Sequence, residues 1–442
     1  MISLPKQDPL IAQLIDEEIK RQQEGIMLIP SENHVSKAVL EALGTVLTDK
    51  YAEGYPGKRY YAGNEVVDKV ENLARERAKK LFGVPHANVQ AYSGSPANLA
   101  VYLATCEPHD PIMGLDLLSG GHLTHGWKVS ATSLFWKSLP YHMTVDGHED
   151  LDEVREIARR EKPKLIWCGG TAIPRAIPFK AFAEIADEVG AYLVADISHI
   201  AGLIAGGAHE SPVPYVHIIS TTTHKTLRGP RGALVMVTEK GLKKNPELGE
   251  KIDRAIFPML QGGPHMNTIA AIAVTLNEAS QPAFKEYAAK VVSNAKTLSE
   301  ALMAYGFKLV SAGTDNHLIL MDLTPDGPGR GLFLHLALER TGLYANKNTI
   351  PNDPSSPFYP SGLRLGSPAA TTRGMGEKEM KQIAEWIKRV SDHIAETKMP
   401  QEKEARQTLI KEFKESLESD TLYSEMQKEV RSLCLQFPIP GV

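Results

Sequence analysis

The sequence predicts an α/β fold, with a mostly parallel central sheet covered by helices on both faces and a smaller C-terminal α+β unit. Three observations predict it. Short apolar runs alternate with amphipathic ones: strands near 111–115, 133–140, 164–168, 191–196, 215–220 and 233–237, with helices such as Leu151–Arg160 and Phe179–Val189 between them. Alternating βα units bury both faces of a parallel sheet. After Gln281-Pro282 the pattern changes to one long helix, reaching about Ala304, and then to shorter strands. Polar residues also gather where strands end, at Ser93, His122, Thr171, Asp196 and Lys225. The C-terminal strand edge of such a sheet is where ligands collect.

Composition bounds the rest. A chain of 442 residues is long enough for about two or three domains and a large core. Apolar residues make up 42% and charged residues 23%, as in ordinary globular proteins. A formal charge of −4 argues against nucleic acid or an anionic membrane as the main partner. Cys106, Cys168 and Cys434 are far apart and form no CxxC, so neither a disulfide scaffold nor a zinc or other metal site is expected. Met1–Lys6 lacks the basic start and apolar core of a signal peptide, and no apolar run approaches the roughly 20 residues of a membrane span. A reducing cytoplasm is the expected compartment.

In chain order, Asp8-Pro9 caps a helix to Arg21 whose apolar stripe is Leu10, Ile11, Leu14, Ile15 and Ile19. Such an arm needs something to pack on. Leu28–Asn33 is a turn. Lys50–Gly63 holds four tyrosines and three glycines in fourteen residues, which suits a rigid loop that touches a ligand. Glu65–Phe82 is an amphipathic helix stopped by Gly83 and Pro85. A short strand, Asn88–Tyr92, leads into Ser93-Gly94-Ser95 and a helix through about Thr105. A small-residue turn before a helix N-terminus suits a phosphate, although any N-cap looks similar. Beyond the long helix, Phe307–Val310, His317–Asp322, Leu343–Ala345 and Leu363–Leu365 read as strands. Helices fall at 329–340 and 376–394, a Pro/Asn/Ser-rich loop at Asn346–Pro360, and a charged helix at Gln401–Leu417. The expected domains are an N-terminal arm (1–48), a large domain (49–282), a small domain (283–400) and a helical extension (401–442).

Lys225 follows Thr221-Thr222-Thr223-His224 at a strand end, and Arg228-Gly229-Pro230-Arg231-Gly232 precedes the next strand. A lone loop lysine is ordinarily a surface residue. An amine held between buried strands is desolvated instead, its pKa falls, and the neutral amine attacks aldehydes. Pyridoxal phosphate is an aldehyde that asks for a Schiff-base lysine, a carboxylate at its ring nitrogen and a phosphate cradle. Asp196, ending the apolar run Val194-Ala195, supplies a carboxylate that needs a cationic partner.

Longer motifs carry a resemblance. Tyr51–Tyr61, Gly120–Gly126 and Thr221–Lys225 closely resemble serine hydroxymethyltransferases, as do Gly313–His317, Asn346–Asn348, Pro351–Asp353, Ser356–Phe358 and Gly362–Arg364. The likeness spans about 8–395. It implies a fold-type I, aspartate aminotransferase-like enzyme that forms a dimer or a dimer of dimers. The implied reaction interconverts serine and glycine and passes one carbon to tetrahydrofolate. The resemblance further implies that Lys225 forms the aldimine with pyridoxal phosphate, Asp196 holds the ring nitrogen, and His122 stacks on the ring. His199 and Thr171 would border the ring oxygen. Ser93, Gly94 and Ser95 would bind phosphate, joined by Tyr51 and Gly263 of a neighbouring subunit. Arg364 would clamp the substrate carboxylate beside Ser31, a role for which a planar fork suits better than lysine. Glu53, lent by the partner and assisted by Tyr61, would move protons near the substrate hydroxyl, and His224 and Thr222 would tune exchange at Lys225. Leu117, Gly121, Leu123, Tyr60, Asn348, Ser356, Pro357 and Phe358 would line the folate pocket.

The sequence departs from the family at four places. Thr171 stands where serine is usual, Ile173 where tyrosine is usual, and Pro30 and Ser198 where alanine is usual. A folate-independent aldolase or transaldolase on β-hydroxy amino acids such as threonine is the alternative enzyme class, and a non-catalytic binding or scaffold relative is a third reading. Intact Glu53, Asn348 and Ser356–Phe358 weigh against the second, and intact Lys225, Asp196 and Arg364 against the third.

Overall fold

The computed structural model describes residues 3–441. Met1, Ile2 and Val442, at the ends of the expected arm and extension, lie outside the described residues. Seven strands build the large sheet: β1 (His86–Asn88), β2 (Pro111–Leu115), β3 (Lys137–Tyr141), β4 (Leu165–Cys168), β5 (Tyr192–Asp196), β6 (Ile218–Thr222) and β7 (Ala233–Val237). Their order is β1-β7-β6-β5-β4-β2-β3. Strands β3, β2, β4, β5 and β6 are parallel to their neighbours, and β7 and β1 turn antiparallel. A second, antiparallel sheet holds β8 (Lys308–Leu309), β9 (Leu318–Asp322), β10 (Asn346–Asn348) and β11 (Gly362–Gly366) in the order β8-β9-β11-β10.

The main helices are α1 (Pro9–Glu24), α2 (Glu65–Phe82), α3 (Gly94–Thr105), α4 (Leu151–Glu161), α5 (Phe179–Val189) and α6 (Met266–Ala279). They continue with α7 (Pro282–Ala304), α8 (Arg330–Arg340), α9 (Glu377–His393), α10 (Lys403–Ser419) and α11 (Thr421–Cys434). Strand alternation sorts the core. Leu165 and Trp167 of β4 pack with Val194, Ile218 and the Ala97–Tyr102 face of α3. Ile166 and Cys168 point the other way, with Leu193 and Ile219, onto Phe179, Phe182 and Ile185 of α5. A separate apolar cluster joins β9 and β11 to α8, α9 and the C-terminal helices.

The expected α2, α5 and α7 boundaries match the structure, and Asp8 caps α1 by accepting from Ile11 N–H. Several elements differ. The strand expected at 133–140 is a short helix, Thr132–Phe135, followed by β3. The strand expected at 215–220 is shifted to β6, because Tyr215 and Val216 both donate to the Pro212 carbonyl in a turn. Leu343-Tyr344 pairs with Ile26-Met27 rather than with the small sheet, and the expected 346–360 loop begins with edge strand β10. Helices α6 and α11 are additions. The strand placed at Asn88–Tyr92 lies earlier, at His86–Asn88, and shares only Asn88 with the expected run. Beyond it, the Gln261 side chain stands where a further strand would: its amide donates to Gln90 O (2.8 Å) and accepts from Tyr92 N–H (3.0 Å).

One core group stands out energetically. Glu149 bridges to Met143 and is buried, and its Oε1 has no hydrogen-bond partner among the described residues. Burial pushes its carboxyl up to about 7. A raised carboxyl favours the folded state below the unfolded pKa, and this contribution is lost as pH rises from about 4.5 through 7. Glu149→Gln is therefore expected to gain about 3 kcal/mol relative to the parent on going from pH 5 to pH 8. Urea unfolding at both pH values measures this, and an equal effect at the two would contradict it.

Candidate active site

Four of the strand-end groups come from consecutive neighbours in the sheet. Strand β6 is wholly buried and delivers Lys225 into a tight turn, in which Arg228 N–H donates to Lys225 O (3.0 Å) and Gly229 N–H to Thr223 O (2.7 Å). Arg228 adopts φ +60° there, and its guanidinium stacks on Tyr287 (4.2 Å). The Lys225 side chain is buried and makes no hydrogen bond or ion pair among the described residues. Burial pulls its ammonium down to about 8; Asp196 pulls it back up, while Arg364 and Arg231 push it further down.

Asp196 ends β5 beside it. Burial opposes its charge, but His125, with His122 and Lys225 nearby, holds the carboxyl well below the usual carboxylate range. His125 Nε2 lies 3.1 Å from Oδ2, Asn98 Nδ2 donates to the same oxygen (3.0 Å), and Ser198 N–H donates to Oδ1 (3.0 Å). The His125 ring is fixed by stacking on Trp167 at 4.8 Å. Sequence reasoning missed His125 and Asn98. The signal was there: a buried aspartate requires donors, and His125 sits inside the Gly120–Gly126 motif.

His122 lies close by, its Nδ1 2.7 Å from Thr124 Oγ1, and burial pushes it down to about 4. His199 Nδ1 is 3.2 Å from His317 Nε2, and burial holds His199 well below its ordinary range. Burial also lowers His224, to about 3. All are neutral imidazoles at neutral pH. Thr171 Oγ1 donates to Gly121 O (2.9 Å), and the Thr171 carbonyl accepts from Arg364 Nη1. Arg364, on β11, also donates to Asn346 Oδ1 (3.1 Å), and burial lowers it to about 10, so it stays charged. Ser31 belongs to the turn that seats Pro30 against Gly366, two residues along from Arg364.

Ser93 opens α3 with extended backbone and no side-chain cap bond. Gly94 lies against Thr222: a Cβ there would be 2.9 Å from Thr222 Cγ2. Thr222 Oγ1 is buried without a hydrogen-bond partner among the described residues. Pyridoxal phosphate fits this set. A buried unpaired amine, a buried anionic carboxylate, a helix start bare of its own cap and an orphaned hydroxyl are the donors and acceptors that an aldehyde, a pyridinium and a phosphate need. Two departures from the family gain a structural account. Ser198 Oγ accepts from Thr222 N–H (3.0 Å). Ile173 is buried among apolar side chains, and only its carbonyl is engaged, by Asn316 Nδ2 (2.9 Å).

The tyrosine loop forms a second group. Tyr51 and Tyr61 meet edge to face at 4.8 Å, Tyr51 lies beside Glu53, and a Cβ on Gly262 would be 3.1 Å from Glu53 Oε1. Gly263 faces the Tyr51 ring. No described hydrogen bond or ion pair joins Glu53, Tyr51 or Tyr61 to the Lys225 group of the same chain, and Tyr51, Tyr60 and Tyr61 are 54%, 75% and 48% exposed. The nearest link is Tyr92, which precedes Ser93 and donates to Gly263 O (2.7 Å). Arg59 shapes this loop from inside, donating to the carbonyls of Ala52 and Gly54 (2.8 Å each), Asp68 (2.8 Å) and Glu71 (2.6 Å). Leu117 and Asn348 each adjoin one end of the hydrogen bond that Thr349 Oγ1 donates to Leu118 O (3.1 Å), and Leu123 is half-exposed. Tyr60 instead meets Phe257 (5.8 Å), and Ser356-Pro357-Phe358 lies on an outer loop with Phe358 77% exposed.

Competitive acetylation of the cofactor-free chain should give Lys225 a titration midpoint of about 8, against about 10.4 for surface lysines. Asp196→Asn should lower that midpoint, because the carboxylate favours the ammonium. A midpoint near 10 in the parent would mean that the amine is not desolvated.

The serine hydroxymethyltransferase profile matches residues 4–387. A serine hydroxymethyltransferase of Acidothermus cellulolyticus is 57% identical over 443 positions, covering 100% of this chain and 98% of that relative. One from Sorangium cellulosum is 52% identical (100% and 97% covered), and one from Phenylobacterium zucineum 54% identical (89% and 90%). Family profile and full-length relatives agree with the strand-end geometry: the chain belongs to the serine hydroxymethyltransferase family.

Proposed function

We propose that this chain carries out its family's reaction at the Lys225 cluster: reversible transfer of the serine hydroxymethyl carbon to tetrahydrofolate, leaving glycine. The observation that carries this reading is a buried, unpaired Lys225 beside an anionic Asp196 and a buried Arg364. Pyridoxal phosphate, bound through its aldehyde, supplies the electron sink for the pair released when the Cα–Cβ bond of serine breaks. Lys225 would hold the cofactor through its aldehyde, and its amine, partly neutral near pH 8, can act as a nucleophile. Asp196 would favour a protonated ring nitrogen, and His125 and Asn98 keep Asp196 ionised. His122 would lie against the ring and, being neutral, adds no charge. Ser93, Gly94 and Ser95 hold the phosphate at the α3 start. Arg364 takes the substrate carboxylate with Ser31 alongside, and Thr171 and His199 border the ring oxygen.

Glu53 and Tyr61 serve the hydroxyl and folate side, with Tyr51 and Gly263 completing the phosphate cradle, all from a second copy of the chain. The exposed tyrosines and the gap between Glu53 and Lys225 within one chain support that sharing. Leu117, Gly121, Leu123, Asn348, Tyr60 and Ser356–Phe358 line the folate path, and His224 and Thr222 tune exchange at Lys225. The domain division lies in α7, at 282/283, with 1–48 as the arm and 401–442 as the extension. Among the described residues no helix is long and apolar enough to cross a membrane. The assigned compartment is the cytoplasm, which suits three unpaired cysteines.

The test is a mixing experiment. Lys225→Arg alone and Glu53→Gln alone should each lose multiple turnover of serine with tetrahydrofolate. Random mixing of the two by unfolding and refolding should restore about a quarter of parental activity, since half of the dimers carry one intact site. No recovery would refute subunit sharing, and full activity of Lys225→Arg would refute the assignment. Glycine added with and without tetrahydrofolate separates this reading from a folate-independent aldolase: cofactor absorption that ignores folate would favour the latter.

A further inference from the structure

The turn Leu28–Asn33 is a sequence feature that the assigned chemistry leaves largely unused. It is wedged between the Arg364 strand and the Lys225 turn. On one side Leu28 O accepts from Gly366 N–H (2.7 Å) at the end of β11. On the other side Asn33 reaches Lys225. Its Nδ2 donates to Lys225 O (3.1 Å) and to Tyr287 Oη (2.8 Å). Its Oδ1 accepts from His34 N–H (2.9 Å) and Thr372 Oγ1 (2.7 Å). Two donor hydrogens and two lone pairs are the full capacity of a carboxamide, and all four are used. The orientation is dictated by the backbone, since a carbonyl can be met only by the NH2 and an N–H only by the oxygen.

The four partners lie on four segments. Tyr287, on α7, itself donates to Thr226 O (3.3 Å), so two successive carbonyls after Thr223 are held from outside the turn. Thr372 ends the short helix that follows β11, and its neighbour Thr371 is tied to Ser367 O (2.8 Å) and Asn294 Nδ2 (2.8 Å). A displacement of the Arg364 segment thus pulls on Thr372, then on the Asn33 amide, then on the Lys225 carbonyl.

We propose that Asn33 is a positioning residue that couples the Arg364 segment to the Lys225 turn, so that carboxylate clamp and reactive amine move as one unit. It touches neither substrate nor cofactor and acts through the Lys225 main chain. The inference rests on the roles assigned to Lys225 and Arg364, but its primary readout does not require catalysis.

The readout is hydrogen exchange of the Arg228 amide, which donates to the same Lys225 carbonyl. In the full-length protein Asn33→Ala should accelerate that exchange about tenfold, the loss of roughly one hydrogen bond to the turn, with Val235 and Ile319 at parental rates. Asn33→Asp has nearly the same volume but replaces the donors with acceptors, so it should accelerate exchange at least as much. The carboxylate should also move the pH midpoint of the bound cofactor's visible absorption upward, because a nearby anion favours the protonated nitrogen. Thr372→Val, which leaves the Asn33 contact with Lys225 in place, should give a smaller acceleration of about threefold. Parental exchange at Arg228 in Asn33→Ala would overturn the proposal. Uniform acceleration across the protein would overturn it too, since that reads only lost stability. If Asn33→Ala does not fold, Thr372→Val decides alone, and an unchanged Arg228 rate there overturns the coupling. Full activity of Lys225→Arg with unchanged exchange results would instead refute the functional assignment alone.

Discussion

The constraint on which the site depends is the burial of two opposite charges that do not pair directly. Among the described residues the Lys225 side chain has no hydrogen-bond partner, whereas Asp196 is crowded with donors. An isolated buried ammonium is expensive, and the protein lowers that cost by letting the amine titrate at about 8. That displacement corresponds to about 3 kcal/mol against the charged form. The carboxylate is treated in the opposite way and is kept ionised by neighbours that fill its oxygens. This asymmetry is what a reactive aldehyde and a protonated ring nitrogen require, and a direct salt bridge between the two residues would remove it.

The topology of the large sheet delivers this asymmetry. Parallel strands β5 and β6 place Asp196 and the Lys225 turn at the same edge, and β7 returns antiparallel to close that turn quickly. Both faces of β4–β6 are packed, so the strand ends have little freedom. The neutral histidines follow from the same burial. His122, His199 and His224 surround two charged groups without adding a third, so near neutrality no change in their own protonation disturbs Lys225 and Asp196.

Much of this was legible in the sequence, and the reasons are particular. Apolar runs such as Leu165–Cys168 could be read because strands buried on both faces need continuous hydrophobicity. Lys225, Asp196 and Ser93 could be read because each follows such a run. His125 was passed over because its meaning depends on Trp167 and Asp196, which are distant in the chain. Arg59 was read only as part of a tyrosine-rich loop, although it is the residue that holds the backbone on either side of Glu53. The β6 boundary slipped because Tyr215-Val216 has strand composition, and a proline turn overrides composition. The Asn346 loop hid β10 because an edge strand of three polar residues carries no alternation to detect.

Gln261 has one more consequence. Gln90 O and Tyr92 N–H point outward from the last extended segment of the large sheet, while Ala91 O points inward and accepts from Ala233 N–H (3.0 Å). Left bare, that outward pair would be a template for another chain to add a strand. One glutamine amide satisfies both groups, so the edge beside the phosphate cradle offers no ladder to a misfolded or partly folded neighbour. A single side chain therefore serves as protection against edge-to-edge aggregation at the place where the sheet runs out of strands.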